Sequence, residues 1–316
     1  MKKIMITGAA GQIGTELTDL LNQRYGHDNV IITTNVQTGK TASLSNPIYS
    51  LDIRDKKTLE EIVSKHNIDT IFHLASLLSA KAEQNPQLAW DVNADAFMNI
   101  LETARNAKCA VFFPSSIGAF GPGTPRVDTP QITIQRPNSM YGITKLCGEL
   151  LCDYYHQHFA VDTRGLRYPG IISHQTLPGG GTTDYAVHMF YAALQKQHYE
   201  CYLQADTMLD MMYMPDALHA AIDLMQADGE KLQHRNAYNV SAMNFTPQQL
   251  ADEIKKHIPA FTIQYQVDPV RQAIADSWPD SMDDSKARNE WNWQPRYTLA
   301  TMVEDMLSHL SHKLTK

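Results

Sequence analysis

The stretch "IMITGAAGQIGTELTDLL", residues 4–21, decides the fold of this chain. A short apolar strand runs into a turn that contains Gly8, Gly11 and Gly14, and a helical pattern begins at Gln12. In such a turn the first glycine permits a tight bend, the second lets a pyrophosphate approach the backbone, and the third lets helix and strand pack closely. The start of the helix adds free N–H groups for an anion. The stretch therefore predicts a dinucleotide-binding loop, with Gln12 and Ile13 among its contacts.

The alternation of strand and helix continues through the first two-thirds of the chain. Apolar runs predict further strands at 30–34, 48–52, 70–75, 110–115 and 162–167. Amphipathic runs between them predict helices at 12–25, 56–66, 87–107 and 141–158. Strands that are apolar on both faces and are separated by helices indicate a parallel, doubly wound α/β sheet.

The pattern changes after Tyr168, where strands become scarce and prolines recur. Helices are predicted at 183–196, 215–227, 247–257 and 298–313. We therefore expect a dinucleotide-binding domain over residues 1–168 and a smaller, mixed substrate lobe over 169–316. Some segments of the lobe are expected to return to the main sheet.

Composition and charge limit the class of protein. The chain has 316 residues and a net charge of −7, without a Lys/Arg cluster, which argues against a nucleic-acid partner. No apolar run approaches the ~20 residues of a membrane span, and no signal peptide is recognisable. The four cysteines lack CxxC spacing and the thirteen histidines form no metal pattern. We therefore expect a cytoplasmic protein with reduced thiols and no metal site.

Further cofactor contacts are predicted at the ends of strands, because ligands of such sheets bind at the carboxyl edge. Simple loop chemistry explains each of these residues equally well. The candidates are Asp52 and Ile53 after the third strand, Leu74, Ala75 and Ser76 after the fourth, Asn93 in the following helix, and Tyr168 and Pro169 after the sixth.

A serine, a tyrosine and a lysine form the candidate catalytic set. The fifth strand ends in "PSSIGAFG", and the next helix begins "MYGITK". Tyr141 and Lys145 are four residues apart, so their side chains lie on one face of that helix. A nearby ammonium favours the phenolate, so we expect the pKa of Tyr141 to fall and the phenolate to act as a general base. Ser116, helped by Ser115, would orient a substrate hydroxyl.

These motifs resemble the extended short-chain dehydrogenase/reductase superfamily. The resemblance rests on the glycine loop, "HLAS", "SSIGAFG" and "YGITK", and it runs the length of the chain. It implies a Rossmann-type NAD(P) domain, a small C-terminal substrate lobe, and a catalytic Ser–Tyr–Lys set in which the lysine also holds the nicotinamide ribose. It also implies a homodimer that pairs through the helix carrying Tyr141 and a neighbouring helix.

The substrate lobe is similar to that of the L-threonine 3-dehydrogenases of this superfamily. The similar segments include "LLSAK" at 77–81, "LPGGGTTDYAV" at 177–187 and "SWPDSMDDSKARNEW" at 277–291. This resemblance implies oxidation of L-threonine by NAD to 2-amino-3-oxobutanoate.

A second glycine loop, at 179–184, is the predicted substrate contact. Gly180 allows close backbone approach, while Thr182 and Thr183 offer hydroxyl donors to a carboxylate. Asp184 would either offset the ammonium or cap the following helix, and the glycines would otherwise form a hinge.

Two residues outside that loop complete the predicted substrate site. Ser79 is expected to face the nicotinamide end of the cofactor. Trp278 would either cover the methyl side of threonine or belong to the core.

Asn35 departs from the pattern of NAD-preferring relatives, in which an acidic residue after the second strand hydrogen-bonds the ribose. Asparagine can accept the ribose hydrogen bonds but cannot repel a 2′-phosphate by charge. The nearest cation in sequence is Lys40. We expect NAD as the cofactor, with weak discrimination against NADP.

Three alternatives remain open at this stage. One is a nucleotide-sugar epimerase or dehydratase of the same superfamily. Another is a non-catalytic NAD(P)-binding protein, a class that typically loses the tyrosine or the lysine. The last is a dehydrogenase acting on an α-amino group, which would not need the tyrosine and lysine.

Overall fold

The computed structural model of the chain describes residues 1–35 and 46–314. The described residues contain twelve strands: β1 (Ile4–Thr7), β2 (Val30–Thr34), β3 (Ile48–Ser50), β4 (Thr70–His73), β5 (Ala110–Ser116), β6 (Thr163–Tyr168), β7 (Gly170–Ile172), β8 (His198–Cys201), β9 (Leu209–Tyr213), β10 (Tyr238–Asn239), β11 (Met243–Phe245) and β12 (Thr262–Tyr265).

The same residues contain twelve α-helices and one π-helical segment. The α-helices are α1 (Gln12–Tyr25), α2 (Lys56–Lys65), α3 (Ser79–Gln84), α4 (Pro86–Trp90), α5 (Ala96–Ala107), α6 (Met140–Phe159), α7 (Tyr185–Gln195), α8 (Met214–Gln226), α9 (Pro247–His257), α10 (Pro269–Asp276), α11 (Ser285–Trp291) and α12 (Leu299–Leu314). The π-helical segment, Asp91–Asp95, joins α4 to α5 where the sequence predicts one continuous helix.

Seven parallel strands form the main sheet in the order β10-β6-β5-β4-β1-β2-β3. This arrangement confirms the predicted doubly wound α/β fold of the Rossmann type. The edge strand β10 comes from far beyond the sixth strand in sequence and pairs with Leu166 and Arg167 of β6. The C-terminal part of the chain therefore contributes to the main sheet.

Both faces of the main sheet are buried, as the apolar strands predict. Ile4 and Ile6 face a cluster that includes Leu17 of α1 and Ala217 of α8. Met5, between them, faces the opposite cluster with residues of α2, α5 and α6. Alternation along a strand sends successive side chains to opposite faces, so a strand covered on both sides must be apolar throughout.

The expectation that strands are scarce after Tyr168 is wrong. Two small sheets lie there, one in the order β11-β9-β7 and one that pairs β12 with β8. The strands after Tyr168, including β10 of the main sheet, are only two to five residues long. An alternating pattern of apolar and polar residues is not recognisable over so short a run. A separate core that contains Phe190, Phe245, Trp278 and Met306 underlies this lobe.

Within residues 1–35 and 46–314, no helix combines the length and the apolar character needed to cross a membrane.

Candidate active site

A cleft opens at the carboxyl edge of the main sheet, where β1, β4, β5 and β6 end. Most of the residues predicted from sequence line it together. They are Gly8, Gly11, Gln12, Ile13, Gly14, Leu74, Ser76, Ser79, Ser115, Ser116, Tyr141, Lys145, Tyr168, Pro169, Thr182, Thr183 and Trp278.

The first glycine loop packs so tightly that side chains are excluded. A Cβ on Gly8, which has a φ of +70°, would lie 2.7 Å from the backbone nitrogen of Ala75. A Cβ on Gly14 would lie 2.4 Å from the Gly8 carbonyl oxygen. Real Cβ atoms do not approach backbone so closely, so the turn needs glycine at both positions. Ala75 thus packs beneath the loop and is not part of the cleft lining.

The start of helix α1 has the properties of an anion site. Gly11 occupies the N-cap position without a side-chain cap, and the first turn carries no acidic residue. Its backbone N–H groups therefore have no side-chain acceptor. Beside them, Nε2 of Gln12 is buried and has no hydrogen-bond partner among the described residues. These unmatched donors beside a glycine turn fit the pyrophosphate and ribose of a dinucleotide.

Helix α6 presents Tyr141 to the end of β5. Its N-cap, Ser139, accepts a hydrogen bond from the Gly142 backbone at 3.1 Å. The Tyr141 ring packs over Gly118, where a Cβ would lie 3.2 Å from a ring carbon. The Ser116 hydroxyl accepts from the Gly118 nitrogen at 3.1 Å, and Ser116 Oγ and the Tyr141 ring both lie beside Gly118. Ser116 and Tyr141 therefore converge on one point in the cleft.

Lys145 lies beneath Tyr141 and is buried. Its Nζ donates to the Pro114 carbonyl at 2.7 Å and lies 5.4 Å from the centre of the Tyr141 ring. Burial lowers the pKa of Lys145 to about 8, and the negative charge of Glu149 opposes that fall. The amine is therefore largely charged at neutral pH and gives up its proton just above it.

The expectation that Lys145 lowers the pKa of Tyr141 is wrong for the protein alone. Withdrawal of the phenol from water raises the pKa of Tyr141 to about 12, although the hydrogen bond to Ser116 acts against the rise. Burial favours the neutral form of each group, so the amine loses its proton first as the pH rises. The two groups therefore form one couple, which loses its first proton mainly from the amine.

Ser115 lines the cleft, but its hydroxyl proton is used within the protein, so its help in orienting a substrate hydroxyl stays a prediction. Its Oγ donates to Oε1 of Glu149 at 2.5 Å, in a buried site behind the cleft.

Six predicted residues lie outside the cleft lining: Asn35, Asp52, Ile53, Ala75, Asn93 and Gly180. Asn35 is exposed directly after β2, at the same edge of the sheet. The Asp52 carboxylate pairs with Arg54 at 2.6 Å, and that hydrogen bond lowers the pKa of Asp52; its contact with the adenine stays a prediction. Lys40 lies outside the described residues.

Asn93 stabilises the loop after β4 from beneath. Its Oδ1 accepts from the Leu77 nitrogen at 2.8 Å, and its Nδ2 donates to the Leu77 carbonyl at 3.0 Å and to Thr144 at 3.2 Å. All its polar atoms are used within the protein. Any effect of Asn93 on a cofactor therefore acts through the loop that holds Ser76 and Ser79.

The second glycine loop is closed by its own aspartate. The Asp184 Oδ2 accepts from the backbone nitrogens of Gly180 at 2.8 Å and Gly181 at 2.7 Å. Gly180 has a φ of +108°, a conformation that L side chains rarely adopt. Thr182 and Thr183 follow and line the cleft. Of the two roles considered for Asp184, the contacts favour capping.

Trp278 was expected either to face the substrate or to belong to the core, and its position is consistent with both. It is buried in the core of the C-terminal lobe and also lines the cleft.

The sequence did not single out Leu78, Pro114, Ile117, Gly170 and Ile171, which also line the cleft, whereas Gly179, Gly181 and Asp184 belong to the predicted second glycine loop. Most adjoin a predicted residue and contribute backbone or apolar surface, which carries no distinctive residue type. Glu149 was also missed, although it stands four residues after Lys145 and so shares its helix face.

Two histidines and one aspartate lie together away from the cleft, although the sequence shows no metal-binding pattern. Ligand atoms of His174, Asp305 and His309 lie within 4.8 Å of one another. The Tyr213 hydroxyl donates to Asp305 at 2.6 Å, and His174 Nδ1 bonds to the Tyr213 oxygen at 2.8 Å. Hydrogen bonds within the protein thus account for much of this cluster.

A parallel sheet with a glycine loop and a Tyr–Lys couple at its carboxyl edge defines the extended short-chain dehydrogenase/reductase superfamily. The model of the family described as "NAD dependent epimerase/dehydratase family" matches residues 4–241. The chain belongs to this family, and it binds NAD.

Relatives extend this result over the whole chain. An uncharacterized epimerase/dehydratase of Staphylococcus haemolyticus is 53% identical over 99% of both chains. The structure of L-threonine dehydrogenase from Clostridium difficile is 55% identical, with a TM-score of 0.97 over 99% of this chain and 98% of that one. The holo form of a GalE-like L-threonine dehydrogenase from Cupriavidus necator is 49% identical, with a TM-score of 0.95 over 98% and 99% of the two chains.

Proposed function

We propose that this chain oxidises the 3-hydroxyl of L-threonine with NAD and yields 2-amino-3-oxobutanoate. The observation that carries the proposal is the likeness to two L-threonine dehydrogenases along nearly the whole chain, substrate lobe included. An epimerase-type family alone would not specify this substrate. The convergence of Ser116 and Tyr141 in the cleft adds a place for a secondary alcohol to react.

The chemistry needs a proton acceptor at the hydroxyl and a hydride acceptor at C3. Ser116 holds the hydroxyl by hydrogen bond, and Tyr141 removes its proton as the C3–H bond breaks. Tyr141 acts as the phenolate of the couple, and the positive charge of Lys145, 5.4 Å from its ring centre, balances that negative charge. NAD, when bound, accepts the hydride. The donors of the first glycine loop and Gln12 would hold its pyrophosphate and ribose.

The second glycine loop is proposed to bind the amino-acid end of threonine. Thr182 and Thr183 offer hydroxyl donors to the carboxylate from the turn that leads into α7, where the N-terminal end of the helix dipole also favours an anion. Asp184 acts by shaping the loop. Ser79 and Trp278 complete the walls of the pocket.

The proposal is tested with purified protein, NAD and a panel of L-threonine, D-threonine, L-serine and 3-hydroxybutyrate. NADH should form with L-threonine far faster than with the other three. A parallel assay measures the interconversion of a UDP-sugar by the same protein. Conversion of the UDP-sugar without NADH formation from L-threonine would replace the proposal by the epimerase alternative. NAD binding with neither reaction would favour a non-catalytic protein.

We also propose a cytoplasmic homodimer. All four cysteines are free, as expected of a reducing compartment. Helix α6 exposes Ile143, Leu150 and Tyr154, and the neighbouring α4 exposes Leu88 and Trp90. Large apolar side chains grouped on adjacent helices are typical of a protein interface.

A further inference from the structure

A buried ion pair lies one helical turn beyond Lys145. Nη2 of Arg167, in β6, is 2.7 Å from Oε2 of Glu149, in α6, and the side chains are 2% and 1% exposed. Neither residue takes part in the proposed reaction. Burying two charges costs free energy that their attraction often fails to return, so stability alone is a weak reason for such a pair.

Glu149 is connected directly to the strand that carries Ser116. Its Oε1 accepts from the Ser115 hydroxyl at 2.5 Å and from Arg167 Nε at 3.0 Å. Gln135 donates to Oε2 at 3.1 Å. The carboxylate thus holds the end of β5 in place, one residue before the proposed substrate contact.

Arg167 is held in turn by partners in other segments. It donates to the Gln131 carbonyl at 2.8 Å and to Oδ1 of Asn239, in β10, at 3.0 Å. The ion pair is therefore fixed on both sides.

Glu149 is also the negative charge that acts on Lys145. Among the described residues, Tyr141 on the same helix and His73 in β4 are further titratable groups near the amine. His73 is neutral at physiological pH, because burial and the Lys145 charge lower its pKa to about 3. Arg167 lies behind Glu149 and donates to both its oxygens. Glu149 raises the pKa of Lys145, against the larger effect of burial.

We infer that Glu149, held by Arg167, is a positioning residue that sets the charge of the Lys145 amine and fixes the end of β5 beside the reacting hydroxyl. This inference rests on the proposed function for its catalytic consequence. With Glu149 in place, the Tyr141–Lys145 couple keeps its extra proton to a higher pH. Without the carboxylate, the couple loses that proton at a lower pH.

The experiment follows Lys145 directly, by carbon NMR of protein labelled at the ε-carbon of lysine. The resonance that titrates lowest is assigned by its loss in Lys145→Met. Its midpoint, near pH 8 in the native protein, should fall by about one pH unit in Glu149→Gln, the usual effect of one close charge. Glu102→Gln is the control, because Glu102 accepts from Tyr155 of the same helix at 2.7 Å but lies outside the cleft.

Glu149→Gln leaves Arg167 buried without its partner, so the double variant Glu149→Gln/Arg167→Met is measured beside it. The double variant should regain stability while Lys145 still titrates low. An unchanged midpoint in the folded single variant, or in the double variant where the single one does not fold, overturns the inference.

The acid limb of kcat/KM for threonine, measured below pH 9, should move to lower pH in parallel. A chain that fails to oxidise threonine contradicts the proposed function but leaves the NMR result to decide on Glu149.

Discussion

Burial acts in opposite directions on two side chains that stand four residues apart. It raises the pKa of the Tyr141 phenol and lowers that of the Lys145 amine, so both groups are pushed towards their neutral forms. Above about pH 8 the Tyr141–Lys145 couple therefore carries no net charge and can accept one proton. A neutral couple of this kind suits a reaction that delivers one proton to the protein for each hydride transferred.

Tyr141→Phe should lose at least ~10²-fold in kcat, the usual scale for a general base. The substitution removes one hydroxyl and keeps the ring that packs on Gly118, so the fold and the NADH affinity should be unchanged. Turnover with L-threonine and NADH binding by fluorescence check this. Tyr154→Phe, at an exposed position of the same helix, is the control. Near-normal turnover in Tyr141→Phe would remove Tyr141 from the mechanism.

Asn35→Asp should raise the preference for NAD over NADP, mainly by weakening NADP. A carboxylate at this exposed position after β2 would repel a 2′-phosphate by about 1 kcal/mol in water, or roughly fivefold. The measurement is kcat/KM for each cofactor in the native protein and the variant. An unchanged ratio means that Asn35 does not touch the ribose, and a native enzyme that strongly prefers NADP contradicts the expected discrimination.

At the scale of residues, sequence predicts a contact well when its spacing has one structural meaning. Gly8, Gly14 and the Tyr141–Lys145 pair belong to that group. The sequence does not show that Glu149 takes up the hydroxyl proton of Ser115, because that contact joins β5 to a distant helix. The pKa of Tyr141 was misjudged because the depth of burial is set by walls that come from distant segments.

The loop between β7 and α7 is an element whose shape depends on one carboxylate. The Asp184 carboxylate accepts hydrogen bonds from the backbone N–H groups of Gly180 and Gly181. The Tyr202 hydroxyl donates to the Thr182 carbonyl at 3.1 Å. The loop is thus preorganised, with its threonine hydroxyls at the cleft. A preorganised site loses less entropy when it binds a small ligand.

Thr182→Val and Thr183→Val should each raise KM for L-threonine while KM for NAD stays unchanged. Loss of one hydrogen bond to a charged group costs about 1.5–3 kcal/mol, or roughly ten- to a hundredfold. Valine keeps the branched shape, which matters where Thr183 packs against Gly170. Steady-state kinetics with each substrate varied are the test. If both variants bind threonine normally, the loop is a hinge rather than a contact.

Long elements were predicted closely and short ones were not. Helix α9 begins and ends where its pattern predicts, and α1 does so too. The π-helical turn at Asp91–Asp95 was missed, because its extra residue depends on Asn93 reaching the loop after β4. The short strands of the C-terminal lobe form through partners far away in sequence, which local periodicity does not reveal.

On the scale of the whole molecule, α6 has two tasks. One face carries Tyr141 and Lys145 towards the cleft, and the opposite side exposes Leu150, which is 61% accessible. In a homodimer through this surface, each active site would be built on a helix that also forms the interface.

Leu150→Glu should convert the proposed dimer to a monomer. A charge placed in an apolar interface is left without a partner and without water, whereas at an exposed position of a monomer it costs little. Size-exclusion chromatography with light scattering measures the mass. Val127→Glu, at another exposed apolar position, should leave the dimer intact. A native protein that is already monomeric at micromolar concentration contradicts the dimer.

The pairing of β10 with β6 bears on how the chain is made. The ribosome synthesises the chain from its N-terminus, so β6 is made before residues 238–239, which pair with its outer edge. It is also made before α8, which covers one face of the sheet. Until those residues emerge, the nascent chain holds an open strand edge and an uncovered apolar surface, the features that promote mispairing with other chains. The nucleotide-binding half of this protein is therefore complete only after residue 239 has been synthesised.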